Sequence, residues 1–185
     1  MLLIKTMEKE EILLHICCAV CGRLFTQLLS ENYSPVIYYD NSNIYPEAEY
    51  MKRRDETRKL AEKFGLRFID GRYDHEEWKS FVAGLEEEPE GGKRCDKCFL
   101  YRLQKAAGMA KQEGIARFTT TLSLSPFKNE IRVEEAGEAA KEMLEFLTPW
   151  KEFEKKDFWR DNMKIVRAEE IYRQNYCGCE FSMRK

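Results

Sequence analysis

Seven cysteines fall in three groups along the chain: Cys17, Cys18 and Cys21 as C-C-x-x-C, Cys95 and Cys98 as C-x-x-C, and Cys177 and Cys179 as C-x-C. Two sulfurs three residues apart, in a turn or at the start of a helix, can reach one metal centre together. A helix N-terminus adds exposed N–H groups and a partial positive charge, which favour the thiolate. Cys95 is expected just before a helix, with Lys93 and Arg94 adjacent. A four-cysteine zinc site would leave three sulfurs idle, and a [4Fe–4S] cluster also takes four. The surplus points to a cluster plus a second metal, or a cluster plus reactive thiols. Cys17 and Cys18 are neighbours in an extended stretch, so their side chains should diverge, which favours two adjacent sites. The plainer reading is a zinc knot with buried structural cysteines. Spacing argues for metal and leaves zinc and iron–sulfur open.

Other polar groups carry weaker signals. His15 sits within a strand pattern and reads as a buried, hydrogen-bonded core histidine. His75 opens a surface helix and carries no signal. Ser123 and Ser125, with Pro126, shape a loop that could border a pocket. Tyr38, Tyr39, Tyr45, Phe99 and Tyr101 lie near the expected site edge, most of them as core. Positive charge recurs at Lys52, Arg53, Arg54, Lys128, Arg132, Lys155, Lys156 and Arg160, interleaved with acidic residues as on a solvated mixed-charge surface.

These groups need a frame. Glu11–Ile16 is a short apolar run, a buried strand that breaks into the first cysteine group, with a helix through Arg23–Leu29. Pro35–Tyr39 is a β-branched and aromatic strand, Asp40–Pro46 a polar loop, and Pro46 opens a charged helix to Phe64 that Gly65 ends. Leu66–Ile69 is a third strand and His75–Val82 a short helix. Glu86–Lys93 has no periodicity and reads as the most flexible stretch. Asp96–Lys111 has helical spacing, with Phe99, Leu103, Ala106, Ala107 and Ala110 on one face. Arg117–Thr121 is a fourth strand, Leu122–Asn129 a Ser/Pro loop and Glu130–Phe146 a helix. A short strand is expected at Leu147–Trp150, then one or two helices before Tyr176. Strand–helix alternation predicts an α/β fold, a parallel sheet flanked by helices. Ligands in such folds sit beyond the carboxyl ends of the strands, where the first cysteine group, Asp40 and Ser123 should lie. No repeat or linker interrupts the chain, which reads as one domain over residues 1–185.

The bulk numbers constrain little more. The chain has 185 residues, 35% of them charged, and a net charge of −2, so nothing global demands a nucleic-acid partner. The start, MLLIKTMEKEEILL, lacks the form of a signal peptide, and no apolar stretch approaches the ~20 residues that span a bilayer. The expected compartment is the cytoplasm, where thiols stay reduced.

Five ordered blocks carry a resemblance. Leu13-Leu14-His15-Ile16-Cys17-Cys18-Ala19-Val20-Cys21 resembles the LLHxCCAPC opening of the QueH-type epoxyqueuosine reductases. Asn41-Ser42-Asn43-Ile44-Tyr45-Pro46, followed by Glu49, Tyr50 and Arg53, resembles their NPNIHP loop. Arg94-Cys95-Asp96-Lys97-Cys98-Phe99 with Arg102-Leu103 resembles RCxxCYxxRL. Thr120 through Pro126 resembles TTLLVSP, and Gln174 through Cys179 resembles QxYCGC. Val20, Ser42 and Tyr45 depart from the pattern; all seven cysteines match it.

The resemblance implies removal of the epoxide oxygen from epoxyqueuosine at the tRNA wobble position, giving queuosine. It implies a [4Fe–4S] cluster with an adjacent iron, held among Cys17, Cys18, Cys21, Cys95, Cys98, Cys177 and Cys179, and no cobalamin. It also implies an adenine-nucleotide hydrolase-like (HUP-like) fold, in which the cysteine run replaces the ATP phosphate loop, so no ATP use is expected. The expected partners are tRNA and an unidentified electron donor, with no membrane. The reaction needs a proton for the departing oxygen. Asp40 is the candidate acid, against the alternative that it makes local turn hydrogen bonds. An iron–sulfur tRNA sulfurtransferase and a zinc-stabilised nucleic-acid-binding module without catalysis are the competing readings.

Overall fold

The computed structural model describes residues 9–183. The N-terminal run read as lacking a signal peptide begins within residues 1–8, outside the described residues. Five strands, β1 (Glu11–His15), β2 (Ser34–Tyr39), β3 (Phe68–Asp70), β4 (Arg117–Thr120) and β5 (Glu145–Phe146), form one sheet in the order β3-β2-β1-β4-β5. Every pairing is parallel. The apolar run Ile12-Leu13-Leu14 is fully buried because β1 is the central strand, with Leu14 opposite Ile37 on one side and Thr119 on the other. Each such side chain contributes about 1.5–3 kcal/mol through burial.

The helices are α1 (Ala19–Asn32), α2 (Glu47–Phe64), α3 (His75–Phe81), α4 (Lys93–Gln112), α5 (Glu130–Ala140) and α6 (Lys155–Ala168). α1 packs on α2 and α6, while α4 packs on α3 and α5. From β1 the chain winds outward through β2 to β3, then returns to place β4 on the other side of β1. This reversal opens a crevice between the carboxyl ends of β1 and β4, the place where folds of this kind bind ligands. α2 starts after Pro46 with Glu47 and Glu49 in its first turn and ends on Gly65, whose φ of 63° suits a left-handed cap.

Three expectations need correction. α1 begins at Ala19 and α4 at Lys93, so Cys95 and Cys98 lie within the first two turns of α4. The helix expected to reach Phe146 ends at Ala140, because Glu142 turns the chain with φ 49° and Phe146 then joins the sheet beside Phe118. Residues Pro149–Glu152, which overlap the second half of the span expected as a strand, form a 3₁₀ turn. Gly137 explains how tightly α5 lies on β5: a Cβ there would stand 2.1 Å from the Phe146 ring. No helix among the described residues is long and apolar enough to cross a membrane.

Candidate metal centre

β1 delivers the first cysteine group into the crevice. Cys18 is the N-cap of α1 with φ −170° and ψ 157°, and no side chain caps the helix. Its first turn holds no acidic residue, so the partial positive charge of its free N–H groups is not offset near these thiols. The ligand atoms of Cys17, Cys18 and Cys21 all lie within 4.8 Å of one another. The expected divergence of Cys17 and Cys18 does not occur: their sulfurs are 3.9 Å apart. The chain bends from strand into helix at that point, and strand alternation no longer applies. From the far side of the crevice, the Thr121 hydroxyl accepts from Cys17 N–H at 3.0 Å and lies 3.3 Å from Cys17 Sγ. Gln174 Nε2 donates to Cys18 Sγ at 3.1 Å.

Charge is shared unevenly among the three sulfurs. Hydrogen bonds from Cys18 and Cys21 hold Cys17 well below the ordinary thiol range. The contact with Cys17 pushes Cys18 up to about 11, and contacts with Cys17 and Cys18 raise Cys21. Three sulfurs this close together make a soft donor set suited to iron or zinc.

The other four cysteines line an adjoining cavity of about 40 Å³. Cys95 and Cys98 come from α4, Cys177 and Cys179 from the C-terminal turn. Burial raises both α4 thiols, Cys98 to about 12, and the nearby Cys177 and Cys179 add to the rise. Gly91 N–H donates to Cys95 Sγ at 3.2 Å. Lys128, half-buried and also lining the cavity, connects the two groups. Burial opposes its charge, but Cys177, Cys17 and Cys21 outweigh that and hold it above the ordinary lysine range.

The C-terminal turn is fastened by residues distant in sequence. Buried Arg53 donates to the carbonyls of Cys177 at 3.0 Å and Tyr176 at 3.4 Å, while Glu49 holds its Nε at 2.7 Å. Gly178 has φ 133°, and a Cβ there would meet Ile44 at 3.0 Å and Arg53 at 3.2 Å. His75, which carries no sequence signal, is a second fastener. Its Nδ1 meets the Ser42 carbonyl at 2.8 Å and its Nε2 meets Glu180 at 3.3 Å. Its ring stacks between Tyr45 and Trp78, at 5.3 Å from each. The one available clue is the His75–Trp78 spacing, which puts both on one helix face.

His15 is the buried core histidine expected. Its Nε2 donates to the Asp40 carbonyl at 3.3 Å and its Nδ1 accepts from the Thr120 hydroxyl at 2.8 Å. Burial and then Arg102 lower its pKa to about 3. Asp40 is buried at the carboxyl end of β2, and burial raises its pKa. It accepts from the Tyr38 hydroxyl at 2.8 Å and the Ser42 hydroxyl at 3.3 Å, and it does not line the cavity of the four cysteines. Asn41, in the same loop, binds the Ile16 carbonyl and accepts from Arg102. Tyr38, Tyr39, Phe99 and Tyr101 are core; Tyr45 is 42% exposed.

The residues present fit a thiolate-bound metal cluster. Beyond the seven thiols, the cavity wall holds Trp78, which hydrogen-bonds toward Cys98, and the buried N–H groups of Arg94 Nε and Arg102 Nε, which have no partner among the described residues. Electron-rich sulfur is the acceptor such donors suit.

The profile of the family described as "Epoxyqueuosine reductase QueH" matches residues 12–185. A Haemophilus influenzae protein of that name is 38% identical over 177 residues, covering 95% of this chain and 72% of that protein. A Thermotoga maritima protein of the same name is 35% identical, covering 93% and 90%. Among solved structures, the U34-tRNA thiolase NcsA from Methanococcus maripaludis, described with its [4Fe-4S] cluster, superposes with a TM-score of 0.58 at 11% identity. It covers 96% of this chain and 62% of the thiolase, a likeness of α/β fold. By profile and by identity over nearly its whole length, the chain belongs to the QueH family of epoxyqueuosine reductases.

Proposed function

We propose that the chain removes the epoxide oxygen of epoxyqueuosine at the wobble position of tRNA, leaving queuosine and releasing water. Family membership supports the reaction. The observation that carries the reading is the cysteine arrangement: three thiols in the crevice between β1 and β4, four around the next cavity, and Lys128 between them. The change consumes two electrons and two protons. The electrons come from an external donor, and the work takes place in the cytoplasm, where thiols stay reduced. In this reading the seven thiols hold a [4Fe–4S] cluster and a second, mononuclear iron, since a cluster alone uses four. Such a centre supplies one-electron steps and a Lewis-acidic position for oxygen. Neither cobalamin nor ATP enters.

The chain's own residues do the rest. Gln174 and Gly91 donate to sulfur and Thr121 contacts it, dispersing its negative charge, which tunes a bound centre. Trp78, Phe99 and Arg102 wall the cavity from water. We assign Asp40 to holding its loop, because both its side-chain hydrogen bonds stay within residues 38–42. A D40N variant should keep its iron and its turnover; lost turnover at normal iron content would return Asp40 to proton transfer.

Anaerobic purification with iron and sulfide analysis, followed by turnover of epoxyqueuosine-containing tRNA under a chemical reductant, tests the whole reading. About four sulfides per chain, iron in slight excess and formation of queuosine are expected. Zinc at one per chain with no sulfide after reconstitution, and no product, would overturn it.

A further inference from the structure

The loop from Ser125 to Asn129 places an exposed aromatic ring at the mouth of the cysteine-lined cavity. Phe127 is 80% exposed, yet it lines that cavity together with Cys95, Cys177 and Lys128. An isolated exposed apolar residue needs no explanation; one held rigidly at the rim of a redox site is different. Its backbone is fixed from both sides. Ser125, itself buried, accepts from Phe127 N–H through its hydroxyl and from Lys128 N–H through its carbonyl, each at 3.3 Å. Asn129 caps α5 by accepting from Arg132 N–H at 3.3 Å. Arg132 completes the rim, pinned by Asp96 at 2.7 Å. The four thiols that would hold a metal centre line this cavity, which leaves no room in it for a nucleobase. A base whose substituent reaches that centre must rest outside, at the mouth, where Phe127 offers an exposed aromatic ring and Lys128 also lines the wall.

We propose that Phe127 is the stacking platform for the target nucleobase, holding it at the cavity mouth so that only its substituent reaches the cysteine-bound centre. The inference rests on the reading of a nucleoside in RNA as substrate. Aromatic stacking is tolerant of base identity and strong enough to set binding. It acts on bound substrate and transition state alike, so its loss raises KM and leaves kcat nearly unchanged.

The test uses anaerobically prepared holoenzyme, epoxyqueuosine-containing tRNA and the variants F127A, F127L and F127Y. F127A and F127L should raise KM about 5- to 150-fold, with unchanged iron content, visible spectrum and melting temperature, and F127Y should stay near wild type. An unmoved KM in F127A, or full rescue by leucine, overturns the platform while leaving the reaction intact. Wild-type enzyme that yields no queuosine overturns the underlying function and the platform with it.

Discussion

The two cysteine groups are built in opposite ways. Cys17, Cys18 and Cys21 span five residues and take their places from the backbone: a central strand, a helix start and a hydroxyl just past the neighbouring strand. Cys95 and Cys98 meet Cys177 and Cys179 across about eighty residues, and side chains from α2 and α3 hold that meeting together. The first group is part of the sheet edge. The second is assembled on it, and its geometry depends on Arg53, Gly178 and His75. Preorganisation is therefore local on one side of the site and long-range on the other.

That contrast can be broken most severely at the sulfurs. C21S and C179S should both abolish turnover, but C21S should leave the remaining thiols in place, whereas C179S should loosen the C-terminal turn as well. Iron content against time in a chelator separates them, with C179S losing metal faster. G178V comes next. A β-branched residue at φ 133° meets Ile44 and Arg53, so metal retention should fall several-fold while far-UV circular dichroism stays native. R53M should lower stability by about 2–4 kcal/mol in denaturant unfolding, because two carbonyls and Glu49 lose a buried charged partner.

The smallest effect probes the first group through its helix. Arg23 on α1 pairs through two hydrogen bonds of 2.7 Å with Glu169, just past α6. That contact, with help from Lys63, lowers the Glu169 carboxyl to about 2. A depressed carboxyl stabilises above its unfolded value and loses that contribution as pH falls. E169Q should therefore cost about 1–2 kcal/mol at neutral pH. The gap to wild type should close between about pH 4.5 and 2, read by unfolding at each pH.

The same contrast governs what the sequence made legible. The apolar run before Cys17, the aromatic strand before Asp40, and the Pro46 and Gly65 helix limits all rest on local patterns, and they appear where those patterns place them. The first cysteine group was legible as a group, though strand alternation misplaced Cys18, which already belongs to a helix cap. Phe146 was not legible as a strand, since a two-residue edge strand is defined by its pairing with β4 and has no period of its own. His75 and Arg53 were invisible as fasteners for the same reason: what they hold lies more than a hundred residues away.

Gly137 gives α5 the character of a beam resting at one end on the Phe146 ring and carrying at the other the Asn129 cap and the loop of Phe127 and Lys128. The supports are eight residues apart, about 12 Å of helix. Any side chain added at Gly137 must lift that end, and the helix is stiff enough to pass the tilt to the cavity mouth. A residue with no side chain and no place in the cavity wall thereby sets the aperture of the cysteine-lined cavity.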